Sequence, residues 1–92
     1  MNPSGCYQLA NRVAIRSERF GGLIYNYQNR RLYFLHSRQL AEFLAGLSGK
    51  RSLADALDTF RQCQGLSQES GEAMLNSVRA LEQMGIIVPV AQ

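Results

Sequence analysis

Apolar and polar residues alternate along the first third of the chain, and this period of two indicates β-strands. Residues 12–16 alternate between polar and apolar positions, whereas residues 20–27 and 30–35 are rich in aromatic and branched side chains. A short turn at Gln28-Asn29 is expected to join the last two segments, because Asn tolerates a positive φ. The pattern predicts an antiparallel meander in which the second strand is paired on both sides and the outer two are edges.

From residue 37 onward the apolar period changes to about 3.6 residues, which predicts three helices. Serines that serve as N-caps and glycines that end helices mark their bounds. The expected helices are Ser37–Ser48 with an end at Gly49, Ser52 to Gly65, and Ser67 or Ser70 to Gly85. The last apolar segment, residues 86–90, contains Pro89 and is expected to form an edge strand or a strap across the core.

Neither three short helices nor a three-stranded meander can bury its apolar side alone, so the two layers must pack together. We therefore predict an α+β, winged-helix-like fold with an N-terminal three-stranded antiparallel sheet followed by three helices. A chain of 92 residues is long enough for one compact domain. We expect that domain to span residues 12–90 and residues 1–11 to form a flexible tail.

The sequence favours a cytoplasmic location without membrane attachment. No apolar run approaches the ~20 residues that a transmembrane helix needs, and the first residues do not resemble a signal peptide. The two cysteines, Cys6 and Cys63, are too few for a metal site and are expected to remain reduced.

The net charge of +3 hides an asymmetry between the two halves of the chain. Up to Arg51 there are eight Lys or Arg against two Glu, a net charge of +6. The remainder has two Arg against five acidic residues, a net charge of −3. A basic front half indicates an acidic partner, although ordinary solvated surface charges explain the counts equally well.

The sequence contains no motif that is typical of an enzyme. The single histidine, His36, lies where the third strand meets the first helix, without a nucleophile or an orienting acid close by in sequence. Gly21-Gly22 is not followed by a helix, so it cannot form a dinucleotide-binding turn and instead indicates a bulge or a bend. We predict a non-catalytic protein with no metal and no cofactor.

A nucleic-acid-binding winged helix is the alternative, since the fold prediction and a pI of about 9.2 fit that class. The last helix would then enter the major groove, but it carries only Arg79 against three glutamates. Phosphates would repel such a helix. The basic strands contain aromatic residues that could stack on bases, but about half of these must face the core.

The third predicted strand, Arg30 to Leu35, has the composition of an edge that can accept an extended peptide. Arg30 and Arg31 would oppose pairing with a second copy and attract an acidic peptide. The next residues are all apolar or aromatic: Leu32, Tyr33, Phe34 and Leu35. Two alternate ones must face the helices, and the other two would be partly exposed or line a groove beside the third helix. A covered strand and a homodimer formed through the edge are the alternatives.

Two segments of this region resemble the PqqD-like peptide chaperones, and the mycofactocin chaperones (MftB) are the most similar branch. The segments are Arg16–Tyr25 and Arg30–Leu35, and the paired arginines before a Leu-x-Phe-Leu strand are the most specific element. Ser17 and Arg19 stand where that branch usually has prolines.

The resemblance implies a RiPP recognition element, which is a domain that holds the leader of a ribosomally made precursor peptide. Such a domain presents the precursor to a radical S-adenosylmethionine (SAM) maturase, which in the mycofactocin branch acts on a C-terminal Val-Tyr and carries the cofactors itself. The leader pairs with the third strand and lies against the third helix. The implied peptide-binding residues are Arg30, Arg31, Leu32, Tyr33, Phe34, Leu35, Met74, Ser77, Val78 and Leu81.

Overall fold

The computed structural model describes residues 2–90, which form two three-stranded antiparallel sheets and three helices. The strands are β1 (Cys6–Leu9), β2 (Val13–Glu18), β3 (Gly21–Asn26), β4 (Arg31–Leu35), β5 (Ser48–Ser52) and β6 (Ile87–Pro89). The helices are α1 (Arg38–Ala45), α2 (Leu53–Gln64) and α3 (Gln68–Gln83). The α+β class is confirmed, and so is the predicted meander, which is the sheet β2-β3-β4 followed by α1.

The turn between β3 and β4 is longer than predicted. It comprises residues 27–30, and its residue of positive φ is Arg30 (60°), not Asn29. Asn29 instead uses its side-chain oxygen, which accepts a hydrogen bond from the Arg31 N–H at 3.0 Å. Asx side chains stabilise turns in this way, so Asn29 contributes to the turn without adopting the left-handed conformation itself.

Two glycines at the start of β3 allow close packing and do not form the predicted bulge, since the β2–β3 register runs through them without a shift. Gly21 has a φ of 146°, and a Cβ atom there would lie 2.1 Å from the carbonyl oxygen of Leu35. A Cβ atom on Gly22 would lie 2.8 Å from the Cβ of Ala41 in α1. The absence of side chains therefore lets β3 approach the end of β4 and the helix.

The second sheet has the order β5-β1-β6 and was not predicted. The flexible tail expected for residues 1–11 is wrong for Cys6–Leu9, which form the central strand of this sheet. The preceding residues are also held in place, because the carbonyl oxygens of Pro3 and Gly5 each accept a hydrogen bond of 2.8 Å from the first turn of α2. These bonds satisfy N–H groups that have no partner within the helix.

The same sheet explains why α1 is shorter than expected. The helix ends at Gly46, and the polar segment Ser48–Ser52 pairs with β1 as strand β5. The final segment is an edge strand, as predicted, because β6 pairs with β1 alone among the described strands.

The helix N-caps agree with the sequence pattern. Ser37, Ser52 and Ser67 each accept a hydrogen bond from a backbone N–H three residues later, at the start of α1, α2 and α3. For the third helix, the structure therefore selects Ser67 over Ser70. Within residues 2–90, no helix has the length and apolar content to cross a membrane.

One apolar cluster connects the helices with both sheets. Its fully buried members include Ile24 of β3, Leu44 of α1 and Val78 of α3. Alternate residues of β2, β3 and β4 join it from one side of the first sheet, which we call the inner face. The opposite side carries Leu23, Tyr25, Leu32 and Phe34, and we call it the outer face.

Candidate functional site

Strand β4 is an open edge of the first sheet. Among the strands of residues 2–90 it pairs with β3 only, so its other side is available for pairing. An exposed edge strand presents unpaired N–H and C=O groups to any extended chain that approaches it.

The register determines which backbone groups of β4 point to that open side. The N–H of Tyr27 donates to the carbonyl of Arg12 at 2.7 Å, so the odd-numbered residues of β3 direct their backbone groups toward β2. The even-numbered residues Ile24 and Gly22 then pair with Tyr33 and Leu35 of β4. Leu32 and Phe34 consequently direct their N–H and C=O groups away from β3, toward the open edge.

The side chains of the same two residues are also exposed. Leu32 and Phe34 have 48% and 59% of their surface accessible, whereas Tyr33 and Leu35 are partly buried against the core. This settles the alternation that the sequence leaves open, because Tyr33 and Leu35 are the pair that faces inward. Leu32 and Phe34 lie on the outer face, away from the helices, and therefore do not line a groove beside α3.

Two arginines lie at the beginning of this edge. Arg30 and Arg31 are exposed, and neither forms a salt bridge with another residue in the described part of the chain. Their positive charge is therefore not neutralised locally and is available to an acidic group that approaches β4.

The predicted residues of α3 occupy different environments. Met74, Val78 and Leu81 are buried members of the core, so they are not available on the surface of this structure. Ser77 is exposed, and its hydroxyl donates to the carbonyl of Ala73 at 3.2 Å. The structure therefore does not unite these residues with β4 in one exposed site.

A cleft of about 490 Å³ does lie beside α3, but on the side of α2. Its walls include Leu57 and Asp58 of α2 and Gly71 and Leu75 of α3, and no residue of β4 takes part. The predicted trough between the third strand and the third helix therefore does not correspond to this cleft.

The sequence indicates aromatic residues on these strands, but it does not predict the contacts that their rings make near the edge. The ring of Phe20 lies 5.9 Å from that of Phe34 and 6.1 Å from that of His36, and the rings of Tyr25 and Tyr27 are 4.5 Å apart. The alternation of β3 could have placed Tyr25 and Tyr27 on one face, but the position of Phe20, in the turn before β3, has no such signal. In residues 2–90, no group of His, Cys, Asp and Glu is arranged to hold a metal ion.

Comparison with known proteins identifies the family of this chain. The profile of the peptide chaperone MftB family matches residues 6–88, which is most of the chain. The chain belongs to the peptide chaperone MftB family. This confirms the resemblance seen in the sequence.

Two MftB relatives show how far the similarity extends. The peptide chaperone MftB of Mycolicibacterium smegmatis is 28% identical over 88 residues, which cover 96% of this chain and 82% of the relative. The peptide chaperone MftB of Mycobacterium ulcerans is 31% identical over 90 residues, which cover 96% and 77% respectively. No solved structure gives a significant match.

The extent of the MftB match also bears on the domain boundary. It begins at Cys6, the first residue of β1, and ends at Val88, within β6. The unpredicted strand β1 therefore falls within the part of the chain that matches the MftB family.

Proposed function

We propose that this chain is a non-catalytic chaperone that binds the leader of a ribosomally made precursor peptide by strand addition to β4. It presents the precursor to a radical SAM maturase in mycofactocin-type biosynthesis. The observation that carries the proposal is that Leu32 and Phe34 combine outward-directed backbone groups with exposed apolar side chains. Strand addition uses backbone groups for affinity and alternate side chains for specificity.

Backbone hydrogen bonds and apolar contacts would both contribute to binding at this edge. Two N–H and two C=O groups can form up to four hydrogen bonds, each contributing about 0.5–1.5 kcal/mol net. Ordering the peptide offsets a large part of this. Apolar contacts with Leu32 and Phe34 add about 25 cal/mol per Å² of buried surface. Micromolar affinity corresponds to about −8 kcal/mol, so buried apolar surface must supply what the hydrogen bonds leave.

Charge and tethering complete the proposed mechanism. Arg30 and Arg31 would attract acidic residues of the leader and fix one end of it along β4. Once the leader is held, delivery of the core segment to the maturase becomes nearly intramolecular, so its effective concentration rises without any chemical step on this chain.

We favour peptide binding over nucleic-acid binding because α3 is poorly suited to enter a DNA groove. Its three glutamates and one arginine give it a net charge of −2. Its apolar residues Met74, Val78 and Leu81 are committed to the core. Five of the ten basic residues lie in or beside the first sheet, and two of these, Arg30 and Arg31, lie next to the open edge.

The proposal is tested with a mycofactocin-type precursor peptide and a radical SAM maturase of the same pathway. We expect the chain alone to leave the mass of the precursor unchanged. With the maturase, SAM and a reductant, it should raise the initial rate of modification at least ~10-fold at micromolar precursor. Mass spectrometry measures both results. A mass change without the maturase would contradict a non-catalytic role, and an unaltered rate with the maturase would contradict presentation.

A further inference from the structure

The outer face of β2-β3-β4 exposes an apolar surface, and the binding of a leader explains only the part of it that lies on β4. Leu32 lies opposite Tyr25, and Phe34 lies opposite Leu23, so these side chains are neighbours across the strands. Phe20 extends the surface at one end through its contact with Phe34. Tyr27 extends it at the other end through its contact with Tyr25.

This surface is wider than a guest strand can cover. A leader added to β4 lies in the plane of the sheet, about 4.8 Å beyond β4. Tyr25 lies in β3, and Tyr27 lies in the turn after it. Arg16 lies in β2, the strand at the opposite edge of the sheet. These residues stay uncovered when the edge is occupied. Exposed apolar patches rimmed by polar residues commonly mark protein interaction sites.

The rim of this surface is strongly basic. Between residues 12 and 36 there are five arginines and one glutamate, a net charge of +4. Arg16 lies on the outer face opposite Leu23 and pairs with Glu18 at 2.8 Å, but its side chain is 80% exposed and remains accessible to a partner. Arg12 and Arg30 lie near the Tyr27 end, and Arg19 lies beside Phe20. A second copy of this face would carry the same charge, so the electrostatics disfavour a symmetric dimer.

We propose that the part of the outer face formed by β2, β3 and the turns beside them is the docking surface for an acidic, apolar-centred surface of the maturase, next to the strand β4 that binds the leader. This inference rests on the proposed function, which supplies the maturase as the partner. The positive charge of the rim favours an acidic partner. The exposed aromatic residues inside the rim form the apolar centre that interfaces typically have. The surface borders β4, so the docked maturase lies next to the bound precursor.

The test uses single substitutions on β2 and after β3, away from the open edge. Arg16→Glu reverses a charge on the outer face, and Tyr27→Ser removes an exposed aromatic ring. Lys50→Glu is the matched control, because Lys50 is exposed on β5 in the second sheet. The affinity for the radical SAM maturase is measured by biolayer interferometry. The affinity for a fluorescent synthetic leader is measured in parallel by anisotropy.

We expect Arg16→Glu and Tyr27→Ser each to weaken maturase binding about tenfold, while leader affinity and the Lys50→Glu control change less than about twofold. Unchanged maturase affinity in both outer-face variants would overturn the inference. It would also be overturned if the wild-type chain sediments as a dimer and Tyr27→Ser converts that dimer to a monomer. If the wild-type chain binds the maturase through this face but binds no leader, the docking surface stands and the proposed leader-binding function fails.

Discussion

Replacing Phe34 with proline is expected to lower the affinity for the leader at least ~30-fold, which corresponds to about 2 kcal/mol. The N–H of Phe34 points to the open edge, so proline removes a donor that the guest would use and places its ring in the path of the incoming strand. The ladder between β4 and β3 does not use this N–H, so the domain should remain folded. Titration of a fluorescent synthetic leader, followed by anisotropy, measures the effect.

Two controls separate the loss of the backbone N–H from the loss of the aromatic ring and from general effects of proline on the sheet. Phe34→Ala removes the ring but keeps the N–H, and we expect it to lose clearly less affinity than Phe34→Pro. Ser17→Pro introduces proline into β2 at the opposite edge of the sheet, where the N–H also points away from β3. Leader affinity should then stay within about twofold of wild type. Equal losses in Phe34→Pro and Ser17→Pro would argue against strand addition at β4.

Replacing Gly21 with alanine is expected to destabilise the domain by about 3 kcal/mol. The new Cβ atom would lie 2.1 Å from the carbonyl oxygen of Leu35, and the φ of 146° is one that alanine rarely adopts. Relief of this contact requires the end of β4 to move away from β3, so leader binding should also weaken. Thermal unfolding followed by circular dichroism should show a midpoint lowered by about 15 °C.

Gly65→Ala is the matched control for the effect of a positive φ alone. Gly65 ends α2 with a φ of 66°, and a Cβ atom there would have no neighbour within 4 Å. We expect a loss of only about 1 kcal/mol. If Gly21→Ala proved as mild as Gly65→Ala, the close contact with Leu35 would not be a constraint on the position of β4.

Local patterns were sufficient to predict the strands of the first sheet and the presence of three helices, although the end of α1 and the length of the turn between β3 and β4 differ from the prediction. The alternation of residues 12–16 is a signal that a single segment contains in full. The caps Ser37 and Ser52 are equally local, because each hydrogen bond spans three residues. The second sheet has no such signal. Its strands β1 and β5 are separated by more than 35 residues, and Ser48–Ser52 is polar throughout.

The candidate site was predictable only in part, for a related reason. Alternation shows that two residues of Leu32–Leu35 face the core, but only the three-dimensional register shows that Tyr33 and Leu35 are the two. On α3, Met74, Val78 and Leu81 have the spacing of an apolar stripe. Such a stripe has the same sequence pattern whether it lines an open groove or packs in the core, so burial could not be predicted from spacing.

Amide hydrogen exchange, resolved by residue with NMR, tests most directly whether β4 accepts the leader as a strand. Without peptide, we expect the amides of Tyr33 and Leu35 to exchange slowly, because they face β3, and those of Leu32 and Phe34 to exchange rapidly. Saturating leader should slow exchange at Leu32 and Phe34 by at least ~10-fold. If the leader binds to saturation and these two amides exchange as fast as before, strand addition at β4 is wrong.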